Sequence, residues 1–186
     1  MRRAEKQQQG DKDRRANAGF SLIELLIVVA IILIIAAIAI PNLLRSKIAA
    51  NEASAAESIH VVLAASSIYN VSYGNGYPPN LAALSGTAGV APTCNQADLL
   101  DSLLANPPHQ KSGFVISYTG ENGAVTPPAG CAPGFLGYLV TAVPITLGST
   151  GNRSFCSDEP GVIHFDANGG PIAAPAACDA LPVLAN

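Results

Sequence analysis

The chain has 186 residues, 49% of them hydrophobic and 12% charged, with ten Lys and Arg against thirteen Asp and Glu and a formal charge of −3. That length accommodates a long helix and one small domain. Beyond residue 19 only Arg45, Lys47, Lys111 and Arg153 are basic, against ten acidic residues, a balance that argues against a nucleic-acid surface.

Residues 1–19 are polar, include a Gln7-Gln8-Gln9 run and show no periodicity, so they are expected to be disordered. They hold Arg2, Arg3, Lys6, Lys12, Arg14 and Arg15 against Glu5, Asp11 and Asp13. The next stretch, Phe20 to Ile40, has twenty-one residues of which only Ser21 and Glu24 are not apolar. As a helix it measures ~32 Å, about the thickness of a bilayer core. It reads as a transmembrane segment, and a basic flank before such a span places that flank in the cytoplasm and the rest of the chain outside. A cleavable secretory signal is the competing reading, with Ala37-Ile38-Ala39 as its cut site. Its apolar region would normally be shorter, ~7–15 residues.

Glu24 stands four residues inside the apolar run. A charge there costs ~2.5–3.5 kcal/mol near the bilayer centre and less toward its edge, so it persists when something pairs with it or when it snorkels to the headgroups. Pro41 follows the span. It lacks a backbone donor and clashes with the preceding turn, which predicts a kink or a locally loosened helix.

Gly19 followed by Phe20-Ser21-Leu22-Ile23-Glu24-Leu25, an Ile/Val/Ala-rich run, Pro41-Asn42-Leu43 and the basic Arg45 and Lys47 together resemble the N-terminal signature of the type IV pilin superfamily. The resemblance covers roughly residues 14 to 60. It implies a cut between Gly19 and Phe20 by a membrane-embedded prepilin peptidase, which also methylates the new amino terminus of Phe20. It further implies that Glu24 pairs with that amine on a neighbouring subunit, and that the helix can extend at Pro41 on passing from bilayer to filament. A leader of nineteen residues is longer than in most pilins whose mature chain begins with Phe.

Beyond Pro41 the apolar pattern becomes one-sided. Leu44, Ile48, Ala55, Ile59, Val62, Ser66 and Tyr69 form a stripe, with Arg45, Asn51, Glu52, Ser54, Glu57 and Ser58 placed largely elsewhere. No Gly occurs between Phe20 and Tyr73, and Gly74-Asn75-Gly76 follows as a stop, which predicts a helix from about Ser21 to Tyr73, ~80 Å long. No small domain covers that length, so its first half must be buried by lipid or by other subunits.

Residues 74–112 read as a connecting region, with one turn at Leu81–Leu84 and a short helix Ala97–Ala105 capped by Asn95. Gly113–Thr119 alternates as a strand, Gly120–Gly134 reads as a loop, and Leu136–Val143 as a second strand stopped by Pro144. Ser154–Ser157 and Val162–Phe165 flank a turn and form a hairpin. Residues 167–186 are rich in Ala, Pro and Gly, tethered by Cys178. The expectation is an α+β fold of the type IV pilin kind: a long N-terminal helix whose C-terminal half packs on a small antiparallel β-sheet of three or four strands. Four segments follow: a cleaved leader 1–19, a membrane or filament-core helix 20–40, an amphipathic half 41–73 and an exported globular part 74–186.

Cys94, Cys131, Cys156 and Cys178 all lie on the exported side, and their even number reads as two disulfides. Three connectivities are open; pairing Cys94 with Cys131 and Cys156 with Cys178 closes the shorter loops. Zinc is the weaker alternative, because no Cys-x-x-Cys spacing or neighbouring His is present. His60, His109 and His164 have no nucleophile motif beside them. Asp166-Ala167-Asn168-Gly169 is a fragment of a calcium-loop spacing or, more simply, a strand end turning. No cofactor, metal or catalytic residue is expected.

The sequence therefore reads as a structural, non-enzymatic subunit of a type IV pilus-like filament. Its expected partners are further copies of itself, a prepilin peptidase, inner-membrane assembly machinery and the lipid bilayer. It would cross the inner membrane once and end in a pilus at the cell surface. A type II secretion pseudopilin in a short periplasmic filament is the nearest alternative. A membrane-anchored binding module that never polymerises is a second, and an enzyme domain on an anchor a remote third.

Overall fold

A computed structural model describes residues 20–185; residues 1–19, Gly19 and the expected leader among them, lie outside these. Helix α1 spans Leu22–Tyr73 and contains Pro41. The chain divides between Leu43 and Leu44 into two compact units.

In the first unit every described residue is exposed except Ala36, which is half-exposed. Leu22, Ile23, Leu33, Ile34, Ile35 and Ile38 are each more than 60% exposed, so the apolar character runs around the whole helix. The window is long and apolar enough to cross a membrane.

The second unit has its own core. Along α1 the buried residues are Glu52, Ala55, Ser58, Ile59, Val62, Leu63, Ala65, Ser66 and Tyr69. This corrects the expected stripe at its N-terminal end. Leu44 is exposed and Ile48 half-exposed, because the body first meets the helix at Asn51 and Glu52. Glu52 and Ser58, expected on the solvent side, are buried. A carboxylate reads as a surface residue until its distant partners are folded against it.

The described strands are β1 Gln110–Lys111, β2 Phe114–Ala124, β3 Phe135–Pro144, β4 Ser154–Ser157 and β5 His164–Asp166. They form one antiparallel sheet in sequence order, so it has five strands, where three or four were expected. The additional strand, β1, is two residues long and follows Pro107-Pro108, too short to carry any alternation. β2 also runs on to Ala124, where a loop from Gly120 was expected. Gly120 pairs with Tyr138, and a Cβ there would run into the Phe135 ring. The glycine permits close packing across the sheet and makes no turn.

Alternation sorts the side chains onto two faces. Phe114, Ile116, Tyr138, Val140, Ala142 and Phe155 pack against α1, with Leu81, Leu84, Leu100 and Leu104 closing one side. Burying each large apolar side chain of this set stabilises the unit by about 1.5–3 kcal/mol. Leu139 and Cys156 point to the opposite face, where Cys178, Ile172 and Leu181 cover them. The C-terminal segment is thus a second layer over β3 and β4. It includes a short helix α3, Pro175–Asp179, with proline in its first turn, and bridges β5 at His164–Val183.

The helix expected at Ala97–Ala105 is confined to α2, Ser102–Ala105. Its cap is Asp101, whose Oδ1 accepts from Leu103 N (2.8 Å) and Leu104 N (3.2 Å). Upstream, the amides of Ala97, Asp98 and Leu99 donate to the carbonyls of Ala83, Ser85 and Leu84 at 2.9 Å each. Those amides brace the 3₁₀ turn Leu81–Leu84, and Asp98 has a φ of +54°, a left-handed conformation that a right-handed helix cannot run through. Asn95 instead bridges the second loop, with Nδ2 donating to Gly130 O (2.8 Å) and Oδ1 accepting from Ala132 N (3.0 Å).

Candidate assembly site

The first turn of α1 holds the acidic residue singled out by the sequence. Ser21 precedes the first helical residue, and its carbonyl accepts from Leu25 N at 3.2 Å. Glu24, three positions on, turns its carboxylate back, and Oε2 accepts from Ser21 N at 3.0 Å. This is the glutamate half of a capping box, which satisfies one of the donors that a helix start leaves open. Its negative charge also lies at the positive end of the helix dipole. The spacing Ser21-x-x-Glu24 carried this signal, and the sequence reading passed over it.

Glu24 and Phe20 are exposed, Phe20 at 79%. The carboxylate is therefore open to a cation from another chain while it caps its own helix. Pro41 lies within α1 with the helix continuing on both sides; one turn's length around it, Asn42 Nδ2 donates to Ile38 O at 3.1 Å. Gly19, the expected cut position, is outside the described residues.

Residues 14–40 match the family model described as the prokaryotic N-terminal methylation motif. The N-terminal segment is thus similar to that of type IV pilins. A pilin relative agrees. The "Type IV wide pilus major component PilA4" of Thermus thermophilus is 44% identical over 66 residues, covering 36% of this chain and 50% of that protein. The chain thus matches about half the length of that relative. No solved structure matches. The fold of a long N-terminal apolar helix with an antiparallel sheet is type IV pilin-like.

The cysteines form two cross-links. Cys94 and Cys131 join at 2.04 Å and tie the loop after the 3₁₀ turn to the loop between β2 and β3. Cys156 and Cys178 join at 2.01 Å and pin α3 to β4. Around the first bridge Tyr69 OH donates to Cys94 O (2.7 Å), and Asn75 Nδ2 donates to Ala132 O (2.6 Å). Burial pushes the Tyr69 phenol up from its ordinary range, so it stays a donor. Neither Asn75 nor Tyr69 was marked for this role from sequence; Asn75 was read only as part of a helix stop.

His164 is buried with Nδ1 2.7 Å from Leu181 O, and His109 Nδ1 lies 2.7 Å from Leu104 O, so both hold backbone. Asp166 spends its carboxylate on its own turn, accepting from Asn168 N (2.9 Å) and Gly170 N (3.3 Å). That is the geometry of a strand end turning.

Proposed function

We propose that this chain is a structural subunit of a type IV pilus-like filament. A prepilin peptidase cuts between Gly19 and Phe20 and methylates the new amine. Before assembly, Phe20–Ile40 holds the subunit in the inner membrane with the leader in the cytoplasm. During assembly, copies leave the bilayer and pack these apolar segments against one another. Glu24 pairs there with the Phe20 amine of a neighbouring copy, because a lone carboxylate in a dry bundle is costly until matched.

One observation carries the reading: the second unit closes a core of its own while the helix before it exposes Leu, Ile and Val all round. Such a surface needs lipid or like helices. The relative's description as the major component of a wide pilus supports a filament over an anchor. Pro41 fits a place where a helix can lengthen locally, and the disulfide-tied sheet would form the filament's outer surface.

Mass spectrometry of sheared surface fibres tests this. The expected mature chain begins at N-methylated Phe20. Fibres lacking the chain, or a mature protein beginning at Met1 or Ile40, would overturn it.

A further inference from the structure

The basic residues beyond the leader are Arg45, Lys47, Lys111 and Arg153. All four lie along the first third of α1 in the second unit, Arg45 and Lys47 on it and Lys111 and Arg153 in segments that meet it at Ser54 and Glu52. Arg45 and Lys47 are exposed on the first turns of α1 in this unit. Lys111 adjoins Ser112, whose Oγ lies 2.9 Å from Ser54 Oγ on the helix. Arg153 is committed to Glu52, so the other three form the available positive set.

This end of the unit also exposes apolar side chains. The segment after β3 begins with Ile145 N donating to Gly113 O (2.9 Å) and is held to the helix by Asn51 Nδ2 donating to Thr150 O (2.9 Å). It closes on itself through Gly148 N and Gly151 O at 2.9 Å. Ile145 is 50% and Leu147 59% exposed in this rigidly tied loop, and Leu44 is 56% exposed on the helix. Of the nearby carboxylates Glu52 is neutralised by Arg153, while Asp166, which turns its oxygens to the amides of its own turn, and the exposed Glu57 keep their charge.

We propose that this end is a lipid-contacting rim. Arg45, Lys47 and Lys111 meet anionic headgroups, and Ile145 and Leu147 dip among them. The rim rests on the reading of residues 20–40 as membrane-inserted. Basic side chains with apolar neighbours are the combination that binds an anionic interface. The attraction fades over about 8 Å at physiological salt, so only residues at this end take part. The rim would orient the unassembled subunit on the membrane and would have to detach as the helix leaves the bilayer.

The chain has no Trp, so single-Trp reporters are clean. Full-length protein carrying Leu147→Trp is placed in vesicles of phosphatidylcholine with or without about one-third phosphatidylglycerol, using brominated acyl chains as quenchers. Ile31→Trp reports the span and Val71→Trp, 87% exposed, reports the far end. The expected result is at least a twofold drop in Leu147→Trp emission in anionic vesicles, reversed by high salt or by Arg45→Gln/Lys47→Gln/Lys111→Gln. Ile31→Trp is quenched in both lipids and Val71→Trp in neither. Quenched Ile31→Trp beside unquenched Leu147→Trp overturns the rim alone, as does equal Leu147→Trp quenching in both lipids. Protection of Leu147→Trp only in assembled fibres also overturns it, assigning the surface to another copy. Unquenched Ile31→Trp overturns the membrane reading itself.

Discussion

Glu52 Oε2 lies 2.8 Å from Nη2 and 2.8 Å from Nε of Arg153, 101 residues away in sequence. The other oxygen, Oε1, accepts from the backbone amides of Asn152 (2.8 Å) and Arg153 (3.1 Å). One helical carboxylate thus fixes where the strand leading into β4 crosses α1. The guanidinium then lies over Phe155 and Phe165, 5.5 and 5.3 Å from their centroids.

Glu52→Ala is expected to destabilise the second unit by about 2–3 kcal/mol, mostly by orphaning two backbone donors. The Coulombic part is discounted because the Arg153 side chain is 38% exposed. Glu52→Gln keeps an acceptor and should cost less. Thermal unfolding in detergent, followed by tyrosine near-UV circular dichroism, measures both. Equal midpoints for Glu52→Ala and the unaltered chain would show the pair to be incidental.

The two disulfides close loops of 37 and 22 residues in sequence separation. Loop-closure entropy gives each about 3–4 kcal/mol. Cys94→Ser/Cys131→Ser should free the contact network of Asn75 and Asn95 and lower the midpoint, while β4 stays pinned through Cys156–Cys178. Non-reducing peptide mapping should recover the Cys94–Cys131 and Cys156–Cys178 peptides. Crossed pairs would refute that arrangement.

Asp158 lies two residues after Cys156 and is 6% exposed. Burial first, and the Asp179 carboxylate second, push its acid up from the ordinary carboxylate value. A folded-state pKa above the unfolded one means the protonated form is favoured by folding. Its contribution is fully present below the unfolded value, near 3.8, and is lost as pH rises through the folded value. Asp158→Asn should therefore raise the midpoint at pH 7 by a few degrees and change it little at pH 3.5. A variant less stable at pH 7 would contradict the sign.

For Glu24 the proposed pairing predicts a split outcome. Glu24→Ala should still insert into the membrane but yield few or no fibres. Electron microscopy of sheared fractions, with carbonate extraction of membranes as control, reads both. Abundant normal fibres would remove the carboxylate from assembly. Glu24→Gln separates its roles, since an amide keeps the helix-capping acceptor but loses the charge.

The amino-acid sequence alone determined the long helix, its apolar first half, the main strands and the final hairpin. Those features are written in local order: an unbroken apolar run, the Gly74-Asn75-Gly76 stop, and alternation in Phe114–Thr119 and Leu136–Val143. It also held the Ser21-x-x-Glu24 cap, a pattern within one turn. Only the tertiary structure decided that Glu52 is buried, that Asn95 braces a distant loop and that the C-terminal segment covers the back of β3 and β4. It alone added β1, and it alone turned Gly120 into a packing position. The first three depend on partners dozens of residues away, β1 is too short to show a period, and a short polar residue has the same local signature whether it faces solvent or a backbone donor brought to it by folding.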